Sequence, residues 1–209
     1  MKKIGLFLII FIILIGGFIY LGINLIPKEK SESPTLFSKE DYKIEEENND
    51  KFIVVDKVGL KCKVPEGWDI KIEGDDVPKP EYWVNLLSPD AVVKDNIIDE
   101  GCIVEILVVK SKETAEDIRD NIILLKNKSG ELESLKNDYF MAEKFEIANI
   151  NGFNAFKTIS QENNIIGQNI NIEIPIKDSY INFNIAYSTI SKEVCLPIWE
   201  DFLENVEIN

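Results

Sequence analysis

The chain carries 37 aspartates and glutamates against 23 lysines and arginines, with three cysteines and no histidine. Without imidazole it lacks the usual general base near neutral pH and the commonest transition-metal ligand. Ser-His and Cys-His hydrolase chemistry is therefore excluded. Cys195 has no imidazole partner to make it a thiolate nucleophile. The only arginine, Arg119, reads as a surface charge on a helix. A glycosidase-type pair of carboxylates cannot be picked from so many acids, because sequence spacing does not give their separation in space.

Two acidic groups, Asp75 with Asp76 and Asp95 with Asp99 and Glu100, offer oxygen ligands to Ca²⁺. Neither has the alternating ligand spacing and central glycine of a helix-loop-helix calcium site, so solvated loops are the plainer reading. Trp68 and Trp83 would suit the lining of a ligand groove, although aromatics in and beside strands more often fill the core. Trp199 falls on the apolar face of a helix. Cys62, Cys102 and Cys195 are odd in number and lack CxxC spacing, which allows at most one internal disulfide. A Cys62–Cys102 bridge requires neighbouring strands, and buried free thiols are the simpler expectation. Asn127-Lys128-Ser129 is a glycosylation triplet at an expected helix end. No catalytic, cofactor-binding or metal-binding residue is assigned, and the chain is not expected to be an enzyme.

What positions these residues begins with a greasy leader. Lys2 and Lys3 precede an uncharged apolar run from Ile4 to Ile26, closed by Pro27 and Lys28. At ~1.5 Å per residue that run crosses ~30 Å of hydrocarbon. No small-residue cleavage site follows it, and the first cysteine is Cys62, so neither a cleaved signal peptide nor a lipoprotein fits. Residues 1–26 are expected to be a transmembrane signal anchor in contact with the bilayer through residues 4–26, and the lysines favour N-terminus inside, C-terminus outside. Residues 27–51 are polar and charged and are expected to be a flexible acidic linker, with a transient helix near Ser38 to Glu47.

Residues 52–209 form the expected extracytoplasmic domain, long enough for a single core. Its 16 basic residues against 29 acidic ones leave a net charge of -13, which repels phosphate backbones and excludes nucleic acid as a partner. Period-2 alternation marks a strand at Val58 to Val64. Pro65-Glu66-Gly67 then turns the chain back along Trp68 to Ile72. Further strands are expected at Tyr82 to Leu87, Cys102 to Val109, Ile170 to Ile176 and Ile181 to Tyr187. Asn151-Gly152 joins Tyr139 to Ile150 and Phe153 to Ser160 as a hairpin. Ala115, Ile118, Ile122 and Leu125 fall on one face of a helix over Glu113 to Lys126. Ser191 is expected to cap a last helix whose stripe is Val194, Ile198 and Phe202, helped by Trp199 and Leu203. A short strand at Val206 to Ile208 closes the chain.

This order makes an α+β fold, an antiparallel sheet of seven to eight strands with one wet face and covering helices. VGLKCKVPEGW at 58–68, INGFNAF at 150–156 and WEDFLENVEI at 199–208 resemble the PsbP-like superfamily, named for an extrinsic protein of photosystem II. The resemblance spans nearly the whole domain and implies an α/β/α sandwich. It implies an extracytoplasmic accessory or binding protein with no fixed partner, and no residue role. The expected function is a membrane-anchored, non-catalytic accessory or interaction module with a protein partner at the cell surface. A weak divalent-cation or small-ligand binding domain is the alternative, and an acid-residue glycan hydrolase a distant one.

Overall fold

Strand β13 (Ser179–Tyr187) shows how the sequence builds the core. Ser179, Ile181, Phe183, Ile185 and Tyr187 are buried, while the residues between them are only half-buried on the opposite face. The same alternation runs through β9 (Cys102–Lys110) and β12 (Asn169–Ile176). A computed structural model describes residues 35–75, 81–94, 97–127, 142–160 and 169–209. The expected anchor over residues 1–26 lies outside these. Among the described residues no helix is long and apolar enough to cross a membrane.

Among the described residues the main sheet has eight strands and is antiparallel throughout. Its order is β10 (Ala142–Ile150), β11 (Phe153–Ser160), β12, β13, β9, β6 (Glu81–Leu87) and β5 (Asp69–Asp75), with the short β1 (Thr35–Leu36) added beside β9. At the β10–β11 turn Asn151 and Gly152 hold φ of 47° and 92°, as the hairpin signal requires. Helix α1 (Lys112–Asn127) begins at Ser111, whose Oγ accepts a hydrogen bond from the Thr114 amide at 3.2 Å. It lays Ile118 and Ile122 against Phe145 and Phe156 on the outer face of the β10–β13 half.

The inner face is covered differently from the sequence expectation. A second antiparallel sheet of four strands, β14 (Val206–Ile208), β4 (Leu60–Lys63), β3 (Asp50–Val55) and β2 (Lys43–Glu47), closes the core together with helix α2 (Lys192–Glu204). The strand expected at Val58 to Val64 therefore belongs to this smaller sheet. The Pro65-Glu66-Gly67 turn carries the chain from one sheet to the other instead of closing a hairpin, because β4 pairs with β3 and β14 while β5 pairs with β6. A hairpin of β7 (Val92–Lys94) and β8 (Ile97–Glu100) stands apart from both sheets.

The segment expected as linker is folded from Thr35 onward. Phe37 and Tyr42 are buried in the main core, and β2 runs antiparallel to β3. The helix expected near Ser38 to Glu47 is a single 3-10 turn, Lys39–Asp41, followed by that strand. Two buried aromatics, together with ion pairs from Lys57 to Asp41 and Lys61 to Glu47, offset the cost of ordering a polar stretch. Burial pushes the Asp41 carboxyl up, but hydrogen bonds from Lys57 and Ser38 outweigh it and leave it below its ordinary value.

Two expectations about cysteine and the last helix are corrected together. The disulfide joins Cys102 to Cys195, with 5.8 Å between Cα atoms, while Cys62 is a buried free thiol. Cys62 sits on β4 in the second sheet and Cys102 opens β9 in the first, so they are not adjacent strand neighbours. Anchoring Cys195 inward turns α2 so that Cys195, Trp199 and Phe202 are buried while Val194 is 60% exposed. Ser191 occupies the N-cap position, but its side chain makes no capping bond. Pro197 lies within the helix beyond its first turn.

Candidate functional site

Among the described residues the outer face of the main sheet is only half covered. Helix α1 covers the β10–β13 end, and the β5, β6, β9 and β13 end remains open as a groove of about 470 Å³. Its floor follows from strand register. Lys71 pairs with Asn85, Asn85 with Glu105, and Glu105 with Asn184, so these four side chains form one polar row across four strands. Directly paired residues project to the same face of a sheet, which is why the row is continuous. One flank is the apolar row Leu87, Ile103 and Ala186, and the other holds Glu73 and Trp83, which are themselves cross-strand partners.

The β7–β8 hairpin walls the apolar flank through Val93 and Ile98. Its base is held by a buried serine network. Ser88 Oγ accepts from the Cys102 amide at 2.9 Å and donates to Asp90 Oδ1 at 2.7 Å. Ser191 Oγ accepts from the Gly101 amide at 2.9 Å and from Ser188 Oγ at 2.9 Å. Gly101 adopts φ of 76°, and a Cβ there would lie 2.5 Å from Ser88 Oγ and 2.7 Å from the Ala91 backbone. Only glycine lets the chain re-enter β9 this close to the preceding turn. The Cys102–Cys195 bridge fixes the same corner from below.

Electrostatics within the groove are mixed. Glu73 Oε2 accepts a hydrogen bond from Asn85 Nδ2 at 2.9 Å, leaving the Asn85 carbonyl oxygen to accept from a ligand. Burial, and then the nearby Glu73 carboxylate, push the Glu105 carboxyl above its ordinary value. Lys71 sits at the exposed end of the row. The floor therefore offers donors, acceptors and a carboxyl that holds its proton more tightly than usual.

No protein-family model and no curated protein matches the chain. Among solved structures it is similar to the solution structure of cyanobacterial PsbP from Synechocystis, at 8% identity and TM-score 0.46, covering 81% of this chain and 93% of that one. It is also similar to PA94 of Pseudomonas aeruginosa, a protein of unknown function, at 9% identity and TM-score 0.39, covering 80% and 97% of the two chains. LpqN of Mycobacterium tuberculosis, involved in cell envelope biogenesis, is similar at 12% identity and TM-score 0.42, covering 72% and 83%. No residue role passes from these proteins to this chain.

The residues singled out from the sequence fall in separate places. Trp83 lies half-buried on the outer face and lines the groove, whereas Trp68 is buried in the core. Trp68 also floors a second groove of about 440 Å³ beside α2, whose Lys63 is already paired with Asp50 at 2.7 Å. Trp199 stacks on Phe202 in the core, with ring centroids 5.8 Å apart. Asp99 pairs with Lys94 across the hairpin, Glu100 is exposed, and Asp76 and Asp95 lie outside the described residues. Among the described residues no three His, Cys, Asp or Glu side chains are grouped to hold a metal ion. Arg119 is exposed on α1, and Asn127 is the last residue of that helix, with the rest of its triplet outside the description. Asn85, Glu105 and Asn184 were not singled out as a site. Their signal is a polar residue at the outward position of an otherwise apolar strand, and register alone brings them together.

Proposed function

We propose that this chain is an extracytoplasmic accessory module that works by binding rather than catalysis, with the sheet-face groove as its binding site and residues 4–26 as its membrane anchor. The observation that carries the reading is the half of the main sheet that no described residue covers, where four polar residues align across four strands beneath a hairpin wall. A structural sheet face left to water needs neither a wall nor a buried network to hold that wall in place. Concave sites with apolar sides and a few convergent polar groups are where small ligands and partner segments bind.

The location rests on two further features. Disulfides form and persist in oxidising compartments, which fits a domain on the outer side of the membrane. The uncharged run from Ile4 to Ile26, with no processing site after it, fits retention at the cytoplasmic membrane with the N-terminus inside.

Both parts are testable in cells producing the full chain. The protein is expected in the membrane fraction, digestible by protease added outside intact protoplasts. One thiol, Cys62, should react with maleimide after denaturation, and all three cysteines only after reduction. Recovery in the cytosol, or three free thiols in freshly isolated protein, overturns the location. A photocross-linking residue at Asn85 is expected to capture a molecule that the same residue at Arg119 does not. Equal capture at both positions overturns the groove.

A further inference from the structure

We infer that the groove takes a neutral, extended, β-1,4-linked oligosaccharide lying across the strands. This rests on the groove being the binding site and names what fills it.

Neighbouring strands lie about 4.8 Å apart, so the row from Lys71 through Asn85 and Glu105 to Asn184 repeats a polar side chain every ~4.8 Å over roughly 14 Å. That repeat is close to the length of one pyranose unit in an extended β-1,4 chain. An α-1,4 chain curls away from such a straight row.

A sugar hydroxyl both donates and accepts, and so asks for partners of both kinds at each step. The primary amides of Asn85 and Asn184 supply both, Lys71 donates, and Glu105 accepts or, when protonated, donates. The row is thus a set of planar or flexible polar groups with no fixed metal requirement.

A pyranose in an extended chain has hydroxyls around its rim and C–H bonds on its faces. The groove has a polar floor between the indole of Trp83 on one side and the apolar Leu87, Ile103, Val93 and Ile98 on the other. Those sides suit C–H faces, as aromatic and apolar groups do elsewhere.

Charge narrows the ligand further. The domain carries 29 acidic residues against 16 basic ones, which disfavours an anionic ligand. The polar row holds one lysine and one glutamate, and Glu73 on its flank is already engaged by Asn85, so the floor does not call for a polycation. A neutral polyhydroxyl chain meets every group the floor presents.

The test is calorimetric titration of the full chain, held in a detergent that contains no sugar, with cellotetraose and chitotetraose. Maltotetraose and trilysine serve as comparison ligands. Saturable binding of one β-1,4 tetraose, at least tenfold tighter than maltotetraose, is expected. Asn184→Ala, Asn85→Ala and Trp83→Ala should each weaken it tenfold or more, with melting temperatures showing that the variants remain folded. Arg119→Ala on the covered half should change nothing. Absence of binding by both β-1,4 tetraoses, or binding unchanged in the Asn85→Ala/Asn184→Ala double variant, overturns the inference. If trilysine alone binds and Glu73→Gln with Glu105→Gln removes it, the sugar is wrong while the groove stands. If neither tetraose nor trilysine binds and no molecule is captured at Asn85, the groove reading falls with the sugar.

Discussion

The phenolic oxygen of Tyr42 accepts a hydrogen bond from the buried Val108 amide at 3.0 Å, across 66 positions of sequence. Val108 lies in β9 beside the short strand β1, where the Phe37 amide donates to the Val108 carbonyl oxygen at 3.2 Å. Burial raises the Tyr42 hydroxyl far above its ordinary pKa, so it stays neutral at any pH the protein meets. One side chain thus satisfies a buried amide of β9 and ties the segment before β2 into the core.

Tyr42→Phe keeps the ring and removes the acceptor, leaving the Val108 amide unsatisfied, which costs about 1–3 kcal/mol. Urea unfolding is expected to show a lower midpoint with an unchanged slope. An unchanged midpoint would mean that water reaches the Val108 amide.

Reduction of Cys102–Cys195 releases a constraint of 93 residues in sequence separation, which in the chain-entropy model is worth roughly 4–5 kcal/mol. Cys102→Ser/Cys195→Ser should melt well below the oxidised protein and match it once that protein is reduced. Cys62, whose thiol burial pushes upward, should resist thiol reagents in the folded state and react on unfolding.

Glu105→Gln gives a pH-dependent effect whose sign follows from burial and from Glu73. A carboxyl with a raised folded pKa favours the folded state fully below the unfolded value, and that contribution disappears as pH rises through the folded value. Glutamine does not titrate. The variant should therefore gain on the native protein between acid and neutral pH, which thermal melts at pH 4 and pH 7 will compare directly.

Gly101→Ala places a methyl group against Ser88 Oγ and the Ala91 backbone at a φ of 76°, a strain of order 1–3 kcal/mol. Faster amide exchange in β7 and β8 than in β12 is expected, because the hairpin base gives way before the sheet. Uniform protection across both would show that the base relaxes without releasing the wall.

The rotation of α2 separates two apolar residues that the sequence stripe treats less distinctly. Val194→Ser, at 60% exposure, should change stability by no more than ~0.5 kcal/mol. Trp199→Ala, at 2% exposure, should cost about 3–5 kcal/mol. Comparable losses in the two denaturation curves would contradict the observed helix orientation.

Much of the fold was legible because strands and helices advertise their periods locally. Alternation at Ile181, Phe183, Ile185 and Tyr187, the stripe at Ala115, Ile118 and Ile122, and Asn151-Gly152 each placed an element close to where it lies. Period does not say which sheet a strand joins, so the second sheet was missed. The 27–51 segment reads as polar tether by composition, and only the pockets that receive Phe37 and Tyr42 show that Thr35 to Lys51 is folded.

From the sequence alone came the acid balance, the absence of imidazole chemistry, the long apolar leader and the alternating faces, all properties of single residues or near neighbours. Tertiary structure decided the partner of Cys102, the inward turn of α2 and the alignment of Lys71, Asn85, Glu105 and Asn184. These depend on pairing between residues tens of positions apart, and register across a sheet is set by how whole faces bury together, not by any one strand.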